Sequence, residues 1–316
     1  MDYRGEPVPS RDDIEAARGR IASHVRITPV VNAGSGAFGL DAALVLKLEL
    51  LQHTGSFKPR GAFSKLLASE VPPSGVVAAS GGNFGLAVAY ACRHLGHRAE
   101  IYVPSTSPAS KIDRVRAEGA EVRVIKGYYD DAAAAARARH AETGALAMHP
   151  FDQLEVVAGQ GTIGIELGAQ VPDADTVVVA VGGGGLVAGV AAWFRGGVRV
   201  VAVEPETSRC LDAALEAGAP LDVPVGGVAA DSLGARRVGD IAFSVARRYV
   251  DRVALVTDDA IRAAQRAIWR ELRLVAEPGG AAALAALMSR AYVPAPGDQV
   301  VVLVCGANCD PVDVTG

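Results

Sequence analysis

Aromatic residues are scarce in this chain: Phe, Trp and Tyr make up 5% of its 316 residues, although 50% are hydrophobic. Its core must therefore be built from Ala, Val and Leu rather than from stacked rings. Cysteine is sparse too. Cys92, Cys210, Cys305 and Cys309 form no CxxC pair and match no zinc spacing. This argues against a disulfide framework or a metal site, and for reduced thiols in a cytoplasmic protein. An excess of one charge is also missing. With 31 Lys+Arg against 35 Asp+Glu, the net charge is −4 with both signs interspersed, which gives no electrostatic case for nucleic acid. Met1 to Ser23 has no apolar segment, so no signal peptide is expected. From Thr176 to Phe194 there are nineteen uncharged residues, long enough to suggest a membrane span. Five of them are glycine, four consecutive, each costing about 1 kcal/mol in a helix relative to Ala. A buried strand, a glycine loop and a buried helix account for the stretch better, so no membrane is expected as a partner.

What the chain has in quantity is alternation. Short β-type runs at Leu44–Leu48, Val76–Ala79, Glu100–Val103, Glu121–Ile125, Thr176–Val181, Val198–Val203, Arg252–Val256 and Gln299–Val304 are separated by helical patterns. Among these helices are Lys58–Ala68, Asn83–Leu95 and Leu186–Trp193. Ser10 and Asp13 resemble a capping box for an N-terminal helix reaching about Ser23. The pattern predicts an α/β fold of mostly parallel twisted sheets with helices on both faces. Its length allows two domains: a large discontinuous one of residues 1–74 and 150–316, and a small inserted one of residues 75–149. Ligands of such sheets gather at the carboxyl ends of strands, where Ser80, Gly182 and Cys305 fall.

Lys58 is the most informative single residue. It precedes Pro59, a favoured first helical residue that biases its predecessor away from the helical region. Lys58 is thus expected on a turn at the positive end of a helix dipole, where that potential and partial desolvation favour the neutral, nucleophilic amine. A lone lysine in a Gly/Ser turn is ordinarily a solvated surface residue, so other segments must carry the case. Gly182-Gly183-Gly184-Gly185 follows an apolar strand and opens a helix, where bare backbone N–H groups can cradle a phosphate. A plain tight turn would need only one or two glycines. Gly183, Gly185 and Ala188 also satisfy a dinucleotide fingerprint, with Glu204 placed for a ribose. An NAD-dependent oxidoreductase is therefore a competing reading, though it leaves Lys58, Asn83 and Cys305 without a role.

Ser80-Gly81-Gly82-Asn83-Phe84-Gly85 is a second strand–loop–helix transition suited to a carboxylate, and the amide of Asn83 could donate to a phenolate oxygen. The plainer reading is an Asn cap on a glycine turn. Cys305-Gly306-Ala307-Asn308 ends the last strand. A buried cysteine there is usually a small hydrophobe; the sharper reading is a weak thiol partner for a pyridine nitrogen.

In this order the four segments resemble the fold-type II pyridoxal phosphate enzymes (tryptophan synthase β-like). They are closest to the serine/threonine dehydratases, or ammonia-lyases, and the serine racemases. Asp231-Ser232-Leu233-Gly234-Ala235 and Glu277-Pro278-Gly279-Gly280 belong to the same likeness. The resemblance implies pyridoxal 5'-phosphate as cofactor, with Lys58 as Schiff-base lysine and Phe57 packing beside it. It also implies Asn83 at the phenolic oxygen, Gly182, Gly183, Gly184, Gly185 and the Leu186 amide at the phosphate, and Cys305 at the ring nitrogen. Ser80, Gly81 and Asn83 would line the substrate carboxylate pocket. The implied reaction turns a β-hydroxy amino acid, L-threonine or L-serine first and 3-hydroxyaspartate or another as alternatives, into a 2-oxo acid and ammonia. Lys58 would remove the α-proton. A homodimer is the family expectation.

The chain departs from that pattern in places. Gly81 stands where racemases carry an acid/base serine, so racemisation is expected to be slight. Cys210 replaces an Asp of the family's cation site beside Glu204 and Ser208, so no bound metal is expected. Phe84 replaces a more usual His, and no regulatory domain is expected after Cys305. A non-catalytic amino-acid-binding protein on the same scaffold is a third reading.

Overall fold

Val-rich runs bounded by Gly and Pro become strands, and the Ala-rich segments between them become the helices that cover both faces. The computed structural model describes residue 5 and residues 8–315, so part of the segment read as lacking a signal peptide lies outside the described residues. Ten strands form two sheets among the described residues. β1 (Val30–Gly34), β2 (Ala43–Lys47), β7 (Thr176–Ala180), β8 (Arg199–Pro205), β9 (Arg252–Val256) and β10 (Gln299–Leu303) make the larger sheet, in the order β1-β2-β10-β7-β8-β9. β3 (Val76–Ala79), β4 (Ala99–Pro104), β5 (Glu121–Ile125) and β6 (Leu146–Met148) make the smaller, in the order β5-β4-β3-β6. Every pairing is parallel except β1 with β2. The central β7 is buried throughout, which is why it reads as an unbroken apolar run rather than an alternating one.

Strand and helix positions follow the sequence expectation to within two residues at most ends. The apolar periodicity does not reveal β1 and β6. β1 is a half-exposed antiparallel edge strand and β6 has three residues, both too weakly patterned to stand out. Ser10 and Asp13 do form the reciprocal capping box that starts the Arg11–Ile21 helix. One local expectation fails. Lys58 caps the Pro59–Leu67 helix from within the helical region, at φ −57° and ψ −31°. The steric bias exerted by Pro59 is a preference only. Here it is outweighed by the Lys58 carbonyl accepting from the Ala62 N–H at 3.1 Å and by the anchoring of Arg60.

That anchor is a buried ion cluster. Arg60 is fully buried and grips Glu49 with Nε and Nη2, both at 2.8 Å, and Glu166 with Nη1 at 2.7 Å. Lys47 Nζ donates to Glu166 at 2.5 Å, to the Thr28 carbonyl at 2.8 Å and to Gln170 at 2.7 Å. The first turn of the helix that begins at Lys58 is thereby tied to β2 and to the Leu154–Gln170 helix. A second device fixes the Gly185–Phe194 helix. A Cβ on Gly189 would lie 2.5 Å from both the Val157 carbonyl oxygen and the Gly161 nitrogen, so this crossing requires glycine. No helix among the described residues is long and apolar enough to cross a membrane.

Candidate active site

The turn before Lys58 runs alongside the strand end that carries Cys305. Ser56 pairs with Gly306 as an isolated antiparallel bridge, and the Phe57 N–H donates to the Cys305 carbonyl at 3.2 Å. The Ala307 N–H returns a bond to the Gly55 carbonyl at 2.9 Å. Lys58 is thus delivered to the carboxyl edge of β10. Its side chain enters a cleft of about 460 Å³, counting the part open to solvent. That cleft is lined by Phe57, Lys58, Asn83, Phe151, Gly182 to Leu186, Ser232, Glu277 and Cys305, among others.

The Lys58 Nζ donates to the Pro150 carbonyl at 3.1 Å and lies 5.0 Å and 5.7 Å from the ring centres of Phe57 and Phe84. Loss of hydration lowers its pKa to about 8, against the smaller opposing pull of Cys305 and Glu277. Roughly a tenth of the amine is then neutral at pH 7. Burial likewise takes the neighbouring His149 down to about 4, although Asp152 opposes it. The imidazole is neutral at pH 7, with Nδ1 accepting from the Asp152 N–H at 3.0 Å.

Across the cleft lies the glycine run, in which Gly184 caps the Gly185–Phe194 helix at φ +90° with no side-chain hydrogen bond. The first N–H groups of a helix have no partner within it, so these donors face the cleft uncapped. Bulk is excluded on the other side as well. A Cβ on Gly184 would sit 2.5 Å from that of Ala242, and one on Gly183 would meet the ring of Phe151 at 2.2 Å. The run therefore serves packing and donor exposure at once.

Asn83 begins the Asn83–Leu95 helix, and its amide Nδ2 donates to Glu277 Oε1 at 2.6 Å. Burial raises the pKa of Glu277 while Lys111, Asn83, Arg114 and Lys58 oppose that rise. Cys305 Sγ points to the Gly279 carbonyl at 3.5 Å, and burial, reinforced by Glu277, pushes the thiol up to about 12. It is present as SH, a weak donor. Ser80 and Gly81 are not among the cleft-lining residues. The Ser80 hydroxyl instead accepts from the Gly82 N–H at 3.3 Å, and the space a Cβ on Gly81 would take is filled by the Ser107 hydroxyl.

Glu204 is fully buried, and its two oxygens accept from the N–H groups of Leu211 and Asp212, both at 2.8 Å. Burial still raises it to about 7. An acid so enclosed has no free oxygen for a ribose, which removes the main support of the dinucleotide reading. Pro150, Phe151, Ser232 and Glu277 are cleft residues or contacts to which the sequence reading gives no role. Ser232 and Glu277 fall in the two segments that share in the family likeness, and Glu277 is also an acid directly before Pro278 at a helix start; Pro150 and Phe151 carry no such signal.

A parallel α/β scaffold with a desolvated amine facing an uncapped glycine turn defines a site for a small aldehyde bearing an anion. The model of the family described as pyridoxal-phosphate dependent enzyme matches residues 21–306, and the chain belongs to that family. It is 37% identical over 314 residues to the biosynthetic L-threonine dehydratase of Haemophilus influenzae, covering 96% of this chain and 61% of that protein. The chain thus spans less than two thirds of that relative's length. Among solved structures it resembles maize serine racemase (TM-score 0.90, 32% identity, 96% of this chain and 95% of that one). It also resembles the threonine deaminase of T.th. (TM-score 0.87, 38% identity, 96% and 99%). The cofactor is pyridoxal phosphate, in agreement with the sequence expectation, and the nicotinamide alternative is set aside. The donors fit that group: an amine of lowered pKa for its aldehyde, uncapped helix amides for its phosphate, and a neutral thiol at the end of β10.

Proposed function

We propose that this chain is an ammonia-lyase that dehydrates and deaminates a β-hydroxy amino acid, L-threonine or L-serine, to a 2-oxo acid and ammonia. The observation that carries it is the shared cleft of Lys58, Gly182 to Gly185 and Cys305, supported by relatives named as threonine dehydratases. Bound pyridoxal phosphate supplies an electron-withdrawing ring that acidifies the α-carbon of an attached amino acid. The protein's part is to hold and move protons. Lys58 Nζ, kept partly neutral by desolvation, accepts the α-proton, and the Pro150 carbonyl orients it. The amides of Gly182 to Leu186 would hold the phosphate, Phe57 packs beside Lys58, and Asn83 would donate to the phenolic oxygen. The Cys305 thiol, kept protonated by burial up to about pH 12, would face the ring nitrogen as a weak neutral donor and leave it largely unprotonated, which would suit elimination better than reactions that need a long-lived carbanion.

The substrate carboxylate is assigned to the Ser80–Asn83 loop through Asn83, the member of the loop that lines the cleft, and Gly81, lacking a side chain, offers no acid on the opposite face. The same reading divides the chain into a large unit of residues 1–74 and 150–316 and an inserted unit of 75–149, and expects a cytoplasmic homodimer. The test is an absorbance spectrum of the purified protein, followed by an oxo-acid assay over L-threonine, L-serine and 3-hydroxyaspartate. A near-visible band with oxo-acid release is expected. A colourless protein, or one that binds amino acid without releasing ammonia, would refute the proposal.

A further inference from the structure

Asparagine amides can turn over, and a site that uses one as a donor must fix which end faces it. Beside Asn83 lies Asn308, 7% exposed, whose orientation is set by two partners that cannot reverse. Arg114 has only donors, and its Nη2 gives a hydrogen bond to Asn308 Oδ1 at 2.7 Å. The Thr54 carbonyl can only accept, and it receives one from Asn308 Nδ2 at 2.8 Å. The second Nδ2 proton then goes to Asn83 Oδ1 at 2.6 Å. With its oxygen engaged, Asn83 must turn its NH2 toward Glu277 and the cleft. Gly55 leaves the room for this. Its φ is +75°, and a Cβ there would lie 2.7 Å from Asn308 Oδ1.

We infer that Arg114 and Asn308 are positioning residues that set the donor polarity of Asn83, so that a residue on the helix between β4 and β5 controls which amide end meets the cofactor. This rests on the reading of Asn83 as a cofactor donor. No change of shape is involved, only of hydrogen-bond direction. An isosteric change of polarity should therefore act where a loss of bulk would not.

The test compares Asn308→Asp, Arg114→Glu, Arg114→Lys and Asn83→Ala in the full-length protein. Pyridoxal phosphate affinity is measured by titrating the cofactor-free protein, together with the absorption maximum of the loaded form and the melting temperature of each. Asn308→Asp keeps the partner of Arg114 but cannot donate to Asn83. It is expected to weaken cofactor binding about ten- to a hundredfold and to move the absorption maximum, with the melting temperature of the cofactor-free protein little changed. Arg114→Glu should shift both readouts in the same direction, whereas Arg114→Lys, still donor-only, should restore them. Unchanged affinity and spectrum in Asn308→Asp, with Asn83→Ala impaired, would overturn the polarity chain while leaving the site reading intact. Unchanged affinity in Asn83→Ala would overturn both.

Discussion

Lys47 and Lys58 are both removed from bulk water, and their chemistry differs because of what stands opposite each. Lys47 is wholly buried and burial lowers its pKa, but the carboxylates of Glu166 and Glu49 act against that shift and Glu166 bonds it directly. Its amine is hydrogen-bonded within a cluster of two basic and two acidic side chains. Lys58 keeps part of its surface on the cleft and donates to a neutral carbonyl, that of Pro150. The neighbours that favour its protonation, chiefly the carboxyl of Glu277, act weakly beside the desolvation. Burial alone therefore does not make a lysine reactive. Burial without a bonded carboxylate does, and the paired cluster holds the unpaired amine in place, because only Pro59 separates Lys58 from Arg60.

The largest effect is expected on the reactive side. Lys58→Ala should lower oxo-acid formation by about 10²- to 10⁴-fold and abolish the near-visible absorption band, while urea denaturation shows little change in stability. On the paired side, Glu166→Ala leaves Lys47 and Arg60 short of a carboxylate and should cost about 3–5 kcal/mol in the same denaturation experiment, with turnover per folded molecule nearly unaffected. Adding Lys47→Met should recover part of that loss; if it deepens the loss, the cluster is not behaving as paired charges.

Gly184→Ala tests the cradle between them. A side chain at φ +90° and 2.5 Å from Ala242 should cost about 1–3 kcal/mol from backbone strain alone and weaken cofactor affinity measured by titration. The smallest effect sharpens the electrostatics. Glu277 favours the protonated form of Lys58, so Glu277→Gln should move the acidic limb of the kcat/KM profile downward, by less than about one pH unit. An upward shift would mean that Glu277 does not act on Lys58 as a charge.

Local signals made most of the scaffold legible. Glu121–Ile125, Asn83–Leu95 and Arg252–Val256 fall where local periodicity and glycine punctuation put them, and Val76–Ala79, buried throughout, where its unbroken apolar run does. The cleft was legible in part. Lys58, Asn83, Gly182 to Leu186 and Cys305 come together, since each lies at a strand end or helix start that local sequence marks. Ser80 and Gly81 stand outside the lining, and Phe151 and Ser232 inside it, because which loop residues face inward depends on packing between distant segments. The backbone of Lys58 departs from its local expectation for the same reason: a proline's bias yields to a buried guanidinium two residues on.

By itself the sequence determined the parallel α/β plan, the glycine turn that exposes helix amides, and a lysine at the mouth of a helix. Strand period, helix capping and glycine sterics act over a few residues and need no partner. Only the tertiary structure decided which buried lysine is paired and which is reactive, and which end of Asn83 faces the cleft. Those outcomes hang on contacts such as Lys47 with Glu166 and Asn83 with Asn308, separated by 119 and 225 positions along the chain. Charge pairing and hydrogen-bond direction over such spans are fixed by folding, where removal from water makes an unmatched group costly and a matched one inert.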